Sequence, residues 1–258
     1  MYTAKEYVFP DSLEQAYDLL CKGKRNRIIG GGGWLALGKG RYHTLIDLSR
    51  LGLDGIAEEG GRLAIGAMAT LRQLETSPLA AKALEGELCR CVKPIVGVQF
   101  RNSATVGGSV YGRFGFSDVL TCLMAADATV TMYRGGEIPV DEFAKRPYEK
   151  DILLSVKVPL DGRACAMETM RLTEMDLPIL AVCVSRLGED WRVAIGARPG
   201  RAALAKEAMA CLRRGGSGED AGKAAARELA FGSNLRGTAE YRKMLAYELV
   251  KRAVNRLR

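Results

Sequence analysis

The spacing of apolar positions along the chain separates helices from strands. Residues 13–20 carry apolar side chains at helical spacing, and Ser12 and Gln15 form a capping-box pattern at their start. Gly23 follows as a stop signal, so we predict a helix between Ser12 and Gly23. The same spacing predicts further helices at 71–75, 79–88 and 119–126.

Short apolar runs bounded by turn residues predict strands in the first two thirds of the chain. These runs lie at 26–29, 44–48, 63–67, 128–133 and 152–159. The turn at 134–137 contains two glycines and indicates a hairpin after the fourth run. The last run ends at Pro159, which cannot donate to a strand ladder.

The pattern changes after Gly162. Three strands of an antiparallel meander are predicted at 166–172, 179–186 and 191–197, and helices follow from Arg201 with a break at 213–218. In the last predicted helix, residues 238–257, one face carries Tyr241, Leu245, Leu249 and Arg252. We therefore predict an α+β protein with an α/β domain at 1–162, in two sub-lobes split near residue 55, and a smaller sheet-and-helix domain at 163–258.

Two glycine clusters, Gly30–Gly33 and Gly107–Gly108, each follow an apolar stretch. Glycine allows φ > 0 and lets a ligand approach the main chain, and successive N–H groups in such a turn form a concavity that binds anions. Two such loops indicate one extended ligand that has phosphates in its middle and is contacted by a loop on each side. A dinucleotide has this shape.

Other phosphate-binding motifs do not fit. Gly31–Ala36 matches G-x-G-x-x-A, but Gly38 and Gly40 interrupt the helix that this fingerprint needs, and a strand begins by Thr44. We therefore expect no crossover helix, and no right-handed βαβ unit, at this point. Gly38–Gly40 also lacks the Ser or Thr that follows the lysine of a P-loop. A flexible turn without any ligand remains the simplest alternative for the first cluster alone.

Charge is concentrated at one end of the 258-residue chain. The net charge is +8, and residues 201–258 hold 13 Lys or Arg against 6 Asp or Glu, a balance of +7. These basic residues alternate with Glu and no aromatic stacking set accompanies them, so we favour a solvated helix face or a surface for an acidic partner subunit over nucleic-acid binding. The sequence contains no apolar run long enough for a membrane span and no secretory signal, so we expect a cytoplasmic protein.

Cysteine and histidine usage argues against a metal site. Seven cysteines occur without a C-x-x-C pair, so we expect reduced thiols, mostly buried as small apolar side chains, and no zinc or iron–sulfur ligands. Cys89 and Cys91 form a C-x-C spacing with no matching pair. His43, the only histidine, is predicted to lie in a surface turn.

Polar residues follow the second glycine cluster. The hydroxyl groups of Thr105, Ser109 and Ser117 can reach phosphate or ribityl oxygens. Asp118 can accept hydrogen bonds from sugar or ribityl hydroxyls, or it can cap the following helix. Arg101 can bind a phosphate or form a surface salt bridge.

These segments resemble the FAD-binding subunits of molybdenum hydroxylases, the family of xanthine, carbon monoxide and nicotinate dehydrogenases. Residues 29–35 resemble the family's A-G-G-T-D-L loop, 45–48 with 63–71 resemble its L-I-D-L and I-G-A-x-T-L stretches, and 101–109 resemble R-N-x-A-T-I-G-G-N. Residues 239–245 resemble its final-helix Y-R-x-x-L. The matches follow the family's order over nearly the whole chain.

The resemblance implies a PCMH-type FAD-binding domain and a subunit of a hetero-oligomer. Partner subunits would carry molybdopterin and a [2Fe–2S] cluster, and electrons would pass from the cluster to FAD and on to an acceptor such as NAD⁺ or a quinone. The chain would have no catalytic residue and no metal ligand of its own. Two alternatives are a stand-alone flavin-dependent oxidoreductase acting on a small molecule and a basic interaction protein without a cofactor.

The resemblance also assigns residues to FAD. It places both glycine loops at the pyrophosphate and ribityl groups, the positions of Leu153 and Leu154 against the flavin ring, and a further contact at 171–176. Trp34 stands where the family has an acidic or small residue, and Ser109 replaces Asn. A lysine that some members place near the flavin has no clear match here, and Glu168 or a neighbouring residue would stand in its place. The full set is Ile28, Ile29, Gly30, Gly31, Gly32, Gly33, Trp34, Leu35, Ile95, Val96, Arg101, Asn102, Ala104, Thr105, Gly107, Gly108, Ser109, Ser117, Asp118, Leu153, Leu154 and Glu168.

Overall fold

A three-stranded parallel sheet begins the chain in this computed structural model, which describes residues 2–258. Its strand order is β1-β3-β2. The strands and helices of this part are β1 Thr3–Val8, α1 Leu13–Lys22, β2 Arg27–Ile29, α2 Gly33–Leu37 and β3 Arg41–Asp47. Helix α1 confirms the prediction: Ser12 Oγ accepts from Gln15 N–H at 3.1 Å. The Gln15 side chain, however, accepts from Asp11 N–H at 2.6 Å instead of closing a capping box on Ser12.

The connection from β2 to β3 corrects one expectation. The two strands pair in parallel, with Ile28 opposite Ile46 and Ile29 opposite Asp47, so a parallel crossover does form. The connecting helix α2 has only 5 residues, and the long helix of a Rossmann unit is absent from residues 30–40. His43 lies exposed on strand β3 rather than in a turn.

A five-stranded antiparallel sheet of order β4-β5-β8-β6-β7 forms the next part of the chain. Its strands are β4 Ile56–Glu59, β5 Arg62–Gly66, β6 Thr129–Met132, β7 Gly136–Pro139 and β8 Leu153–Pro159. The intervening helices are α3 Leu71–Thr76, α4 Glu87–Val92, α5 Val98–Ser103, α6 Val106–Tyr111, α7 Asp118–Ala125 and α8 Val140–Lys145. The predicted strands at 63–67, 128–133 and 152–159 and the hairpin are confirmed within one or two residues.

The predicted helix at 79–88 is wrong. Residues Ala80–Gly86 form a 3-10 stretch that is interrupted where Leu84 and Glu85 adopt φ values of 54° and 52°. Two successive residues in the left-handed region break the helical path, and α4 starts only at Glu87. Apolar spacing alone does not reveal such a break.

The last third of the chain contains a four-stranded antiparallel sheet of order β12-β11-β10-β9, covered by helices. These elements are β9 Ala164–Met170, β10 Leu180–Leu187, β11 Asp190–Gly196, β12 Ala203–Leu204, α9 Lys206–Arg213, α10 Gly218–Glu228 and α11 Ala239–Arg256. The predicted meander, the break at 213–218 and the α+β class are confirmed. None of the helices in residues 2–258 combines the length and apolar character needed to cross a membrane.

The buried face of α11 differs from the predicted one. Leu245 and Leu249 are buried as expected, but Tyr241 is 39% exposed, and Arg252 points to solvent. Arg242 takes the place of Tyr241 in the interior with 1% exposure. An arginine on the buried side is unexpected because its charge favours water, unless polar groups surround it.

Helix α7 packs against the four-stranded sheet and shares a core with residues of the five-stranded sheet. All of its residues are buried, which is typical of a helix that is apolar on every side. One continuous core joins α7 to Cys165 and Cys183 of the second sheet, while α1 and β3 have a small core of their own. The boundary at 162 and the split near 55 therefore stay predictions, since the sheets change there but the main core runs across residue 162.

Candidate functional site

The two glycine clusters meet in space. A Cβ atom at Gly31 would lie 1.6 Å from the Ser103 carbonyl oxygen, and one at Gly30 would lie 2.5 Å from Thr105 Oγ1. The loop after β2 is therefore packed against the junction of α5 and α6, which only glycine permits. Residues 75 positions apart in sequence form one continuous surface.

The first cluster offers main-chain donors. Within residues 2–258, none of the five N–H groups from Gly31 to Leu35 donates a hydrogen bond. Gly32 adopts φ 70°, and Gly32, Gly33, Trp34 and Leu35 are partly exposed while Gly31 is exposed. Free N–H groups that converge at the start of a helix attract an anion. This loop suits a phosphate group of a dinucleotide.

The second cluster does not offer its N–H groups, contrary to expectation. Val106 N–H donates to Ala69 O and Gly107 N–H donates to Ala67 O, both at 2.8 Å. Gly108 N–H donates to Thr105 Oγ1 at 3.1 Å. The N–H groups at the start of α6 thus all have acceptors within the protein. The N–H groups that remain available to an anion are those of the first cluster.

The glycines of the second cluster have different roles. A Cβ atom at Gly107 would lie 2.5 Å from Ala67 O, so this glycine is required for packing α6 against β5 and the residues after it. Gly108 is exposed, and a Cβ atom there would meet only Thr105 Oγ1, at 3.1 Å. The open space above Gly108 is where a ligand can approach the main chain.

The hydroxyl groups that were predicted to contact a ligand bind main-chain groups of the protein. Ser109 Oγ donates to Thr105 O at 3.0 Å, and Ser117 Oγ donates to Ser109 O at 2.9 Å. Ser117 Oγ also accepts from Leu120 N–H at 3.1 Å, so Ser117, not Asp118, is the N-cap of α7. These bonds fix the start of α7 relative to α6.

Asp118 forms a buried ion pair with Arg171. The Asp118 Oδ1 and Arg171 Nη2 atoms lie 2.8 Å apart, and the two side chains are 4% and 8% exposed. Burial raises the pKa of Asp118, while Arg171 opposes this shift. Arg171 also donates to Asp176 O at 2.5 Å. The pair links the start of α7 to the loop between β9 and β10.

Arg101 is held inside the protein. Its Nε and Nη2 atoms donate to the Glu75 carboxylate at 2.8 and 3.2 Å, and its Nη1 donates to Ile95 O at 3.1 Å. Arg101 is 5% exposed. Arg101 therefore forms a salt bridge, as one of its two predicted roles required, but the bridge is buried and not on the surface. Its hydrogen bond to Ile95 holds the segment 95–101 in place.

The Glu75 carboxyl should make stability depend on pH. Burial opposes its ionisation, but hydrogen bonds from Arg101 and Arg72 prevail and lower its pKa. A carboxyl whose folded pKa lies below its unfolded pKa adds stability above the unfolded value and loses it as the pH falls through the folded value. We expect Glu75→Gln to be destabilising at pH 7, with a difference in the free energy of unfolding that shrinks in acid. Urea unfolding of both proteins from pH 7 to pH 3 measures it, and a constant difference would contradict this role.

The remaining predicted contacts differ in their exposure. Val96 is exposed and adopts φ 52°, a strained conformation for a β-branched residue. Ile95 and Leu154 are partly exposed, whereas Leu153 is buried in the core. Asn102 is exposed and Ala104 is buried, with its carbonyl accepting from Leu71 N–H at 2.8 Å.

Glu168 is engaged by the C-terminal helix. Its carboxylate accepts from Arg256 Nη1 at 2.7 Å, and this hydrogen bond raises the pKa of Arg256. Arg256 also lies 3.7 Å from the buried Glu87 carboxylate. The Glu168 carboxylate is therefore one half of an ion pair with the C-terminal helix.

Sequence reasoning missed an aromatic cluster on the anion-binding loop. Trp34 packs against Phe100, Phe114 and Phe116, with ring centroids 6.2, 6.1 and 4.8 Å away. Phe114 and Phe116 stack on each other at 5.3 Å. The only signal in the sequence was the replacement of a small or acidic residue by Trp34.

Sequence spacing also missed a cluster of thiols. The sulfur atoms of Cys122, Cys165 and Cys183 lie within 4.8 Å of one another although the residues come from α7, β9 and β10. Hydrogen bonds to the other two thiols and burial raise the pKa of Cys183 well above its usual range, which favours neutral thiols. The cluster fills the core between α7 and the second sheet.

Comparison with known proteins identifies the family. Residues 3–161 match the family described as FAD binding domain in molybdopterin dehydrogenase, and residues 166–257 match the CO dehydrogenase flavoprotein C-terminal domain. The chain belongs to this family of FAD-binding proteins. It is 29% identical to the nicotine 6-hydroxylase medium subunit of Paenarthrobacter nicotinovorans and 29% identical to the carbon monoxide dehydrogenase medium chain of Hydrogenophaga pseudoflava, each over 97% of this chain and 96% of the relative.

Solved structures agree with this assignment. The structure of a carbon monoxide dehydrogenase from Hydrogenophaga pseudoflava that lacks the Mo-pyranopterin moiety of its cofactor superposes with a TM-score of 0.88 at 27% identity, covering 98% of this chain and 96% of the other. Quinoline 2-oxidoreductase from Pseudomonas putida 86 shares the fold with a TM-score of 0.89 at 23% identity. FAD is therefore the cofactor of this chain. The free N–H groups at 31–35 and the open surface above Gly108 fit a FAD-type diphosphate.

Proposed function

We propose that this chain is the FAD-binding medium subunit of a multi-subunit molybdenum hydroxylase. The proposal rests on the N–H groups from Gly31 to Leu35, which have no hydrogen-bond acceptor in the protein and lie in a loop packed against Ser103–Thr105. The chain also matches medium subunits over almost its full length. Molybdopterin and the [2Fe–2S] cluster belong to partner subunits. Specificity of the xanthine dehydrogenase type has no support over that of carbon monoxide or nicotine hydroxylases, whose medium subunits match this chain over more of its length than the xanthine dehydrogenase subunits do.

The residues of the chain bind and orient the cofactor. The N–H groups of 31–35 hold the pyrophosphate, since two negative charges suit converging donors. Gly108 leaves room for the ribityl chain, and Ile95, Val96 and Leu154 line the flavin ring. FAD, when bound, takes up electrons from the iron–sulfur partner and passes them to an external acceptor. NAD⁺ is one candidate acceptor, and a quinone is another.

Two surface features support a partner subunit. The loop between β9 and β10 exposes Leu172 and Met175, at 68% and 60%, and large apolar side chains are enriched where proteins associate. The basic C-terminal part, residues 201–258, adds a charge balance of +7 that would speed docking of an acidic subunit. Both features suit an iron–sulfur subunit placed within electron-transfer distance of the flavin.

Affinity purification from the native cells tests the proposal. We expect the chain to elute with two further proteins and with iron and molybdenum, in addition to FAD. The isolated FAD-loaded chain should show at most slow diaphorase activity with NADH and an artificial acceptor. Steady turnover of a purine, an aldehyde or nicotinate by this single chain would contradict the subunit role and favour the stand-alone oxidoreductase. A chain that stays colourless and takes up no FAD would contradict both.

A further inference from the structure

A pocket lies where the loop after α6 meets the C-terminal part of the chain. It has a volume of about 400 Å³ and is lined by Arg113, Arg201, Arg236 and Arg242 together with Phe114 and Phe116. None of the residues 30–35 of the anion-binding loop lines this pocket. The pocket is therefore distinct from the phosphate-binding loop, with the Trp34 aromatic cluster between them.

Aromatic rings and main-chain carbonyls, rather than carboxylates, contact most of these guanidinium groups: Arg113 lies over Phe143 and Tyr148, and Arg201 lies over Tyr148. Within residues 2–258, Arg236 is the only one of the four arginines that forms an ion pair, with Asp176 at 3.2 Å. Arg113, Arg201 and Arg242 have no carboxylate within ion-pair distance in the described chain. Four guanidinium groups and one paired carboxylate leave a net charge of +3 around a small volume. Like charges held this close repel, and an anion would relieve that repulsion.

The guanidinium groups are fixed in place by main-chain oxygens. Arg242, 1% exposed, donates to the carbonyls of Ile179, Gly232 and Gly237 at 2.8, 2.7 and 2.6 Å. Arg113, 5% exposed, donates to the carbonyls of Arg146 and Pro147 at 3.0 and 3.1 Å. Groups that are already ordered lose little entropy when a ligand binds.

Unsatisfied donors remain at the same place. The Nε atoms of Arg113 and Arg236 are buried and make no hydrogen bond within residues 2–258. Burial lowers the pKa of Arg113, with the charge of Arg201 acting in the same direction. Burial and the charge of Arg236 likewise lower the pKa of Arg242. These Nε atoms are covered by the protein, so the charge that faces a ligand in the pocket comes from the partly exposed Arg201 and Arg236.

We propose that this arginine pocket binds a phosphate-bearing small molecule of about mononucleotide size, separately from FAD. The arginines recognise the phosphate, because guanidinium groups match its oxygens in geometry and charge. The stacked Phe114 and Phe116 rings provide a flat apolar wall for a ring system. The volume lies within the range of roughly 300–1,000 Å³ that is usual for small-molecule sites.

Calorimetric titration of the FAD-loaded chain with AMP, inorganic phosphate and adenosine tests the proposal. We expect AMP and phosphate to bind, with affinity that falls as salt rises, and adenosine to bind at least about tenfold more weakly than AMP, equivalent to about 1.4 kcal/mol. Arg236→Gln should raise the Kd of AMP about tenfold. Asp176→Asn, which removes the one paired carboxylate, should lower it.

Arg62→Gln is the matched control, because Arg62 pairs with Glu137 on the five-stranded sheet and lies outside the pocket. It should leave the Kd of AMP unchanged. Equal affinity for AMP and adenosine, an unchanged Kd in both pocket variants, or no binding at all would overturn the proposal. Release of FAD by AMP would also overturn it, since the phosphate would then occupy the cofactor's own site.

Discussion

A valine at position 108 should leave the chain folded and largely free of FAD. Gly108 is exposed, and a Cβ atom there meets only Thr105 Oγ1 at 3.1 Å, so the new side chain requires only a small shift of the Thr105 side chain. The two added methyl groups occupy the space through which the cofactor approaches α6. We expect the Kd of FAD to rise at least tenfold, equivalent to about 1.4 kcal/mol. Flavin absorbance per protein after gel filtration measures the loss.

Gly55→Val is the matched control for this substitution. Gly55 is also exposed, no atom lies within 4 Å of its ideal Cβ position, and its backbone is not in the left-handed region. Its FAD content should equal that of the unmodified chain. Full FAD occupancy in Gly108→Val would show that the cofactor does not approach this glycine.

Gly107→Val provides the contrast between packing and binding. A Cβ atom at Gly107 would collide with Ala67 O at 2.5 Å, so this variant should lose stability whether FAD is present or absent. The two neighbouring glycines therefore look equivalent in the sequence but differ in function. Only the fold shows which face of α6 is turned to β5 and which to solvent.

The sheets were predictable because their strands carry local patterns. Apolar runs between turn residues placed β5, β6 and β8 and the C-terminal meander within a few residues. The parallel pairing of β2 and β3 was not predictable in this way. The prediction assumed that a parallel crossover needs the long helix of the dinucleotide-binding fingerprint, but a helix of 5 residues connects these two strands.

The candidate site was predictable in position but not in chemistry. Glycine content located both clusters, yet the sequence cannot show that Ala67 and Ala69 carbonyls accept the N–H groups of the second cluster. Those acceptors lie about forty residues earlier in the chain and reach α6 only through the fold. Arg101 and Arg242 were missed as buried groups for the same reason, because their partners are main-chain oxygens or a distant carboxylate.

Loss of the Asp118–Arg171 ion pair should cost about 3–5 kcal/mol of the free energy of unfolding, because either single substitution leaves the other buried group without its partner. We expect Asp118→Asn and Arg171→Met each to lower the Tm by about 10 °C. The double variant should lose less than the sum of the two, since no charge is then left unpaired. Thermal unfolding followed by circular dichroism measures all three.

Asp127→Asn is the control for the effect of charge removal. Asp127 pairs with Arg192 at 2.9 Å but is 49% exposed, so water screens the pair and the loss should stay below about 1 kcal/mol. Asparagine also tolerates the left-handed backbone conformation at position 127, where φ is 57°. Equal losses in Asp118→Asn and Asp127→Asn would contradict a special role for the buried pair.

FAD separates the structural role of Asp118 from a role in binding. A ligand that binds only the folded state raises the Tm by mass action, by an amount that grows with the logarithm of the ligand concentration divided by its Kd. If Asp118 acts only through Arg171, saturating FAD should raise the Tm of Asp118→Asn as much as that of the unmodified chain. A smaller rise would mean that the carboxylate also contacts the cofactor, as the resemblance to the family implies. The buried position of Asp118, 4% exposed beside Arg171, leads us to expect equal rises.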